Sequence, residues 1–190
     1  MSFRDCVLDL SITKMIKKKY IILTDLGSQS IKTSVYDMQC NHVASFVQEN
    51  KIRRISKDSL IYDGKESLKK VIFNIKRILE LSKINPLDIE SLSFTGMGAG
   101  IIGVDKDWVP TTEFLTPIDK RSNKYLIEII NNFGVAMRNM SGIDNPTGVN
   151  NIIWLGKEFP EKYKKTAKFM PLTHFVQGKF LSFYSWKFCL

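Results

Sequence analysis

Asp25, Gly27, Ser28, Gln29 and Lys32 fall together between two β-favouring runs, residues 20–24 and 31–37. A carboxylate at a strand end can hold a magnesium ion, directly or through water. A tight glycine turn beside it lets backbone N–H groups and hydroxyls come close to a phosphate. The stretch is neither a Walker loop nor a dinucleotide fingerprint, because neither glycine spacing is present. On spacing alone an ordinary hairpin turn remains the alternative. Two further groups have chemical potential. Thr95, Gly96, Met97 and Gly98 enter a glycine-rich loop after a strand, and Asp119 and Arg121 stand two apart in a turn. A carboxylate accepts hydrogen bonds and a guanidinium donates them, so the second pair suits a hydroxyl-bearing ligand. The alternatives are glycines that serve tight packing, and a helix-start acid beside a surface cation. Trp154 reads as a core anchor, and His42 and His174 have no partner motif.

The elements that must hold these residues are legible from periodicity. Residues 20–24, 31–37 and 42–48 read as three strands joined by short turns, an antiparallel meander at one edge of a larger sheet. Leu68, Val71, Ile72, Ile75, Ile78 and Leu79 form one apolar stripe, which predicts a helix over 65–82. Asp63 and Glu66 make a capping-box-like start, and Asn85-Pro86 ends the segment. Residues 92–95 and 101–104 read as strands around a 96–100 loop. Helices are expected over 122–133, with Gly134 as the stop, over 150–158 and over 161–168. Meander, helix, strand, loop, strand, helix is mixed α/β with helices covering a sheet.

Composition narrows the class. At 44% hydrophobic and 25% charged the 190 residues can bury an ordinary core. No run reaches the roughly 18 apolar residues of a spanning helix, so no membrane role is expected. The net charge of +9 is spread over residues 1–19, 51–90 and 151–190 rather than focused on one helix. No zinc pattern or aromatic RNA-binding motif accompanies it, and nucleic acid is not the expected partner. Three cysteines far apart suggest neither a metal site nor a disulfide framework, which fits a reducing cytoplasm.

Four motifs in order carry a resemblance. The segment YIILTDLGSQSIKTSVYD resembles the opening strand–turn–strand of the actin-like ATPase superfamily, most closely the FGGY carbohydrate kinases. IESLSFTGMGAGIIGVDKD is similar to that family's strand–loop–strand, whose loop faces the sugar. LTPIDKRS looks like its W-x-D-x-R element, with Pro117 in the tryptophan position. TGVNNIIWLGKEFPEKYKKTAKFMPLTHFV resembles the helix carrying W-L-x-x-x-x-P-E, with Asn151 where lysine is common. Ala99 stands where a xylulose-kinase-like Q-M-H-G loop has its histidine.

The resemblance implies a ribonuclease-H-like domain and transfer of the γ-phosphoryl group of ATP, with Mg2+, to a sugar or polyol hydroxyl. It implies Asp25 near the metal, Gly27, Ser28, Gln29 and Lys32 at the phosphate, and Thr95, Gly96, Met97, Gly98, Asp119 and Arg121 near the sugar. The catalytic residue is not assigned: the family's general base and adenine-binding second domain are expected beyond residue 190. Residues 15–176 would be a partial N-terminal kinase domain, 1–14 an extension and 177–190 an atypical tail. The chain is accordingly expected to be truncated and to phosphorylate no sugar alone. The alternatives are a non-catalytic sugar-binding or interaction module, or half of a split kinase completed by a second chain.

Overall fold

In the computed structural model, residues 19–142 and 148–185 are described. The expectations about residues 1–14 and the last residues of the tail lie outside them. The first three strands are β1 (Tyr20–Leu26), β2 (Ser30–Asp37) and β3 (His42–Glu49). They form the expected meander, pairing antiparallel in the order β3-β2-β1. After a hairpin of β4 (Arg53–Ser56) and β5 (Ser59–Tyr62), α1 (Gly64–Ser82) crosses to β6 (Ile89–Gly96). That strand joins the sheet parallel to β1 and completes the order β3-β2-β1-β6.

Alternation sorts the sheet into two unlike faces. Ile22, Leu26, Ile31 and Val35 are buried on one face. There α1 packs through Val71 and Ile78, and Phe175 and Val176 close the rest of the core. On the other face Leu23, Asp25, Lys32, Ser93 and Thr95 are exposed. No described element covers that face.

Helix α1 starts as its sequence suggests. The Asp63 carboxylate accepts from the backbone N–H groups of Lys65 and Glu66 at 2.9 and 3.1 Å. The Glu66 side chain turns instead to Arg53 and Lys70, so the capping box is half made. The helix stops before Asn85-Pro86, on Lys83 in the left-handed region at φ 53.

The second half of the chain is built on small sheets. β7 (Ile102–Val104) pairs with β9 (Lys168–Met170), and β8 (Phe114–Leu115) extends the β4–β5 hairpin. Helices α2 (Asn123–Ser141), α3 (Val149–Glu158) and α4 (Pro160–Lys165) lie between β8 and β9, and α5 (Leu172–Ser185) follows. Trp154 and Leu155 pack with Ile61 and Leu115, so Trp154 is the core anchor its sequence suggests.

Two boundaries differ from expectation. Helix α2 runs through Gly134 and ends at Gly142, whose φ is 73 and whose N–H bonds the Arg138 carbonyl. One interior glycine costs only about 1 kcal/mol, and the Val135–Arg138 stretch behind it sustains the helix. The expected fourth helix over 161–168 stops at Lys165, because Lys168 pairs with Val104 in the β7–β9 ladder. The β4–β5 hairpin and α5 were not foreseen.

Candidate functional site

Two glycines bring the turn after β1 and the loop after β6 together. A Cβ on Gly96 would lie 2.6 Å from the Leu26 carbonyl oxygen and 2.9 Å from the Leu26 Cβ. Only glycine lets the two strand ends abut there. The Met97 N–H then bonds the same Leu26 carbonyl at 3.1 Å. A Cβ on Gly27 would lie 2.9 Å from the Ser30 carbonyl oxygen, so the turn itself is equally tight.

The turn is clamped from outside by a residue that sequence reasoning missed. Asn50, buried just after β3, donates its side-chain amide to the Gly27 carbonyl at 2.8 Å. Its own N–H bonds the Gln29 carbonyl at 2.8 Å. A second clamp comes from the hairpin, where the Tyr62 hydroxyl donates to the Ser28 carbonyl at 2.5 Å. Burial pushes the Tyr62 phenol above its ordinary value, which keeps it a donor.

The residues singled out from sequence fall into three places. The strand register sets Asp25 opposite Lys32 on β2 and opposite Thr95 on β6. All three line one hollow on the open sheet face, together with Ser34 and Ser93. Asp25 makes no ion pair or side-chain hydrogen bond among the described residues. A free carboxylate beside a turn of backbone N–H groups fits a magnesium ion, which takes one or two carboxylates and completes its shell with phosphate oxygens and water. Among the described residues there is no cluster of three acidic, histidine or cysteine ligands.

Ser28, Met97 and Gly98 occupy a different place, a cleft of about 310 Å³ at the end of the sheet. Ile52, Tyr62, Thr116, Pro117 and Ile118 form its remaining wall. Ile52 and Tyr62 were missed, because one precedes and the other ends a hairpin that periodicity did not reveal, whereas Thr116, Pro117 and Ile118 were read only as part of the segment that carries Asp119 and Arg121. Gly96 and Gln29 do not line the cleft; Gly96 is half-buried and Gln29 exposed.

Asp119 and Arg121 are held apart from both. Asp119 is 4% exposed, and its carboxylate accepts from the Leu60 N–H and from the Arg121 N–H, Nε and Nη2 at 2.8–3.2 Å. Arg121 lies 4.6 Å over the Trp154 ring. The pair ties the loop after β8 to β5 and α3, and the Asp119 oxygens are fully engaged. Next to it Ser122, Asn150 and Asn151 form a buried polar network, with bonds of 2.6 and 2.8 Å. The chain that carries Pro117 and Ile118 into the cleft is thereby fixed on its far side.

Among the described residues no helix is long and apolar enough to cross a membrane. Residues 20–185 match the description of the FGGY family of carbohydrate kinases, N-terminal domain. A xylulose kinase from Bacillus subtilis (strain 168) is 22% identical over 158 residues, covering 80% of this chain and 31% of that protein. The chain thus spans about a third of the length of the curated relative it matches. Among solved structures, a gluconate kinase from Lactobacillus acidophilus superposes with a TM-score of 0.72 at 21% identity, over 84% of this chain and 32% of that one. A xylulose kinase from Rhodospirillum rubrum superposes with a TM-score of 0.76 at 13% identity, over 84% and 33%. At these identities the superpositions establish the fold, which is the actin-like one expected from the motifs.

Proposed function

The chain belongs to the FGGY family of carbohydrate kinases, and from that premise we propose that it supplies one wall of a site where ATP phosphorylates a sugar or polyol hydroxyl. The observation that carries this reading is the abutment of Gly96 on Leu26, which sets the Asp25–Lys32 turn and the Thr95–Gly98 loop side by side. In this reading Asp25 holds Mg2+, and Gly27, Ser28 and Gln29 meet the phosphates through their backbone N–H groups. Lys32 balances charge nearby. The bound metal ion neutralises charge that develops on the transferring phosphoryl group.

Thr95, Gly96, Met97 and Gly98 contact the sugar in this proposal. Asp119 acts through Arg121 as a positioning residue, because its own oxygens have no acceptor capacity to spare. No acidic or histidine side chain lines the cleft among the described residues. The base that takes the proton from the attacking hydroxyl is therefore proposed to come from elsewhere. Positioning without that base leaves a rate lower by about 10²–10⁴.

The 190 residues alone are accordingly expected to bind a sugar and not to phosphorylate it. Calorimetry with pentoses, hexoses and polyols at millimolar concentration tests the first part, and the absence of heat with every one overturns the sugar site. An assay of ADP release tests the second, and sugar-dependent release by the purified chain overturns the missing base. The uncovered sheet face favours one further reading, in which a second chain packs there and completes a split kinase. A cytoplasmic setting accords with the free, exposed Cys40.

A further inference from the structure

Two adjacent peptide units in the turn after β1 are held in the same way. The Gly27 carbonyl accepts from the Asn50 side-chain amide at 2.8 Å, and the Ser28 carbonyl accepts from the Tyr62 hydroxyl at 2.5 Å. In a trans peptide the carbonyl and the N–H of the next residue point opposite ways, and the described backbone has no cis bond. Both clamps therefore turn the N–H groups of Ser28 and Gln29 away from themselves. Neither N–H is bonded among the described residues, and both residues are exposed. Adjacent N–H groups presented in this way hold an anion. The clamps differ in one respect: Tyr62 lines the cleft at the end of the sheet and Asn50 does not.

The Tyr62 hydroxyl gives its one hydrogen to Ser28, and its oxygen keeps acceptor capacity. A ligand hydroxyl in the cleft that donates to this oxygen completes a chain of one polarity. Its links are ligand O–H to Tyr62 Oη, Tyr62 O–H to the Ser28 carbonyl, and the N–H of the same peptide unit, on Gln29, to an anion. Hydrogen bonds in such a chain polarise one another. On the footing of the one-site reading above, we infer that Tyr62 is a positioning residue that couples the cleft to the turn. A hydroxyl bound in the cleft then tightens the hold of the turn on phosphate, and linkage makes the effect reciprocal. Strengthening of roughly 10–30% per bond, on bonds to a charged group, amounts to about two- to fourfold in affinity. Asn50 anchors the turn and takes no part in the chain.

Titration of the 190-residue chain with inorganic phosphate and Mg2+, with and without saturating glycerol or xylitol, tests this. The Ser28 and Gln29 amide signals are followed, so phosphate on surface lysines does not register. The phosphate dissociation constant is expected to fall about two- to fourfold with the polyol. The Gln29 amide proton should also move on polyol binding before any phosphate is present. Tyr62→Phe keeps the ring and should bring the ratio of the two constants to one. Asn50→Ala loosens the same turn, and should weaken phosphate binding while leaving the ratio as it is. A folded amide spectrum is required of both variants, and the wild-type ratio and Gln29 shift decide the inference where one does not fold. Binding of both probes with a wild-type ratio of one overturns the inference and leaves the site standing. Absence of binding by either probe overturns the site and the inference together. A ratio that survives Tyr62→Phe, or is lost in Asn50→Ala, overturns the assignment to Tyr62.

Discussion

The hydroxyl of Tyr62 donates to the backbone carbonyl of Ser28 at 2.5 Å, and so locks the β4–β5 hairpin to the turn after β1. Asn50 clamps the same turn from the other side through Gly27 and Gln29. Tyr62→Phe is expected to destabilise the chain by about 1 kcal/mol, the net worth of one such bond. Asn50→Ala should cost about 1–3 kcal/mol, since it leaves the part-buried Gly27 carbonyl without a partner. Urea unfolding checks both, and wild-type midpoints would show that the turn is held by other means.

Gly96 and Gly98 are two residues apart and should respond very differently to alanine. At Gly96 the added carbon meets Leu26 at 2.6 and 2.9 Å, whereas at Gly98 nothing lies within 4 Å. Gly96→Ala is expected to cost about 1–3 kcal/mol through overpacking. Gly98→Ala should stay within about 0.5 kcal/mol. Equal effects in thermal unfolding would contradict the abutment of the two strand ends.

Asp119 has a different kind of importance. Its side chain is 1% exposed and that of Arg121 26%, so removing the carboxylate leaves a half-buried cation over Trp154. Asp119→Ala should destabilise by about 3 kcal/mol, the lower end for a broken buried pair because Arg121 keeps some solvent. Arg121→Lys retains the charge and loses the fork on the carboxylate, and a smaller loss is expected. A sugar contact made by Asp119 itself would instead show as lost binding with stability intact.

Acid sensitivity has one traceable local source. The bond from Lys70, with Arg53 beside it, holds the Glu66 carboxyl below its ordinary value. A depressed folded-state value contributes stability above the unfolded value of about 4.3 and loses it as pH falls through the folded one. Glu66 is 41% exposed, so the contribution is small, about 0.5 kcal/mol or less. The stability difference between wild type and Glu66→Gln should therefore be flat from neutral pH to about 5 and shrink below about 4.3. A difference that grows with acidification would reverse the assigned direction.

The parts of the fold legible in the sequence are those with strong periodicity. The meander, the α1 stripe and the turn at Gly27 follow from alternation, 3.6-residue spacing and a glycine between strands. The β4–β5 hairpin was not legible, because Arg53–Ser56 is exposed throughout and carries no alternation. Its loss hid Tyr62 and Ile52, and with them one side of the cleft. Gly134 misled for another reason: a single glycine is a stop only where the residues behind it cannot continue the helix. Of the candidate site, spacing located the turn and the loop, but only the register shows that Asp25 and Thr95 are neighbours. The inward turn of Asp119 depends on the Leu60 N–H, 59 residues away in sequence, which no local pattern encodes.

The central claim is that the turn after β1 and the loop after β6 form one ligand site, and amide chemical shifts on sugar titration test it most directly. Binding is predicted to move the amides of Gly27–Gln29, Gly96–Gly98 and Ile118 together, with one dissociation constant. Shifts confined to the apolar groove of Leu79, Phe94 and Phe180, or no shifts with any sugar, would contradict it.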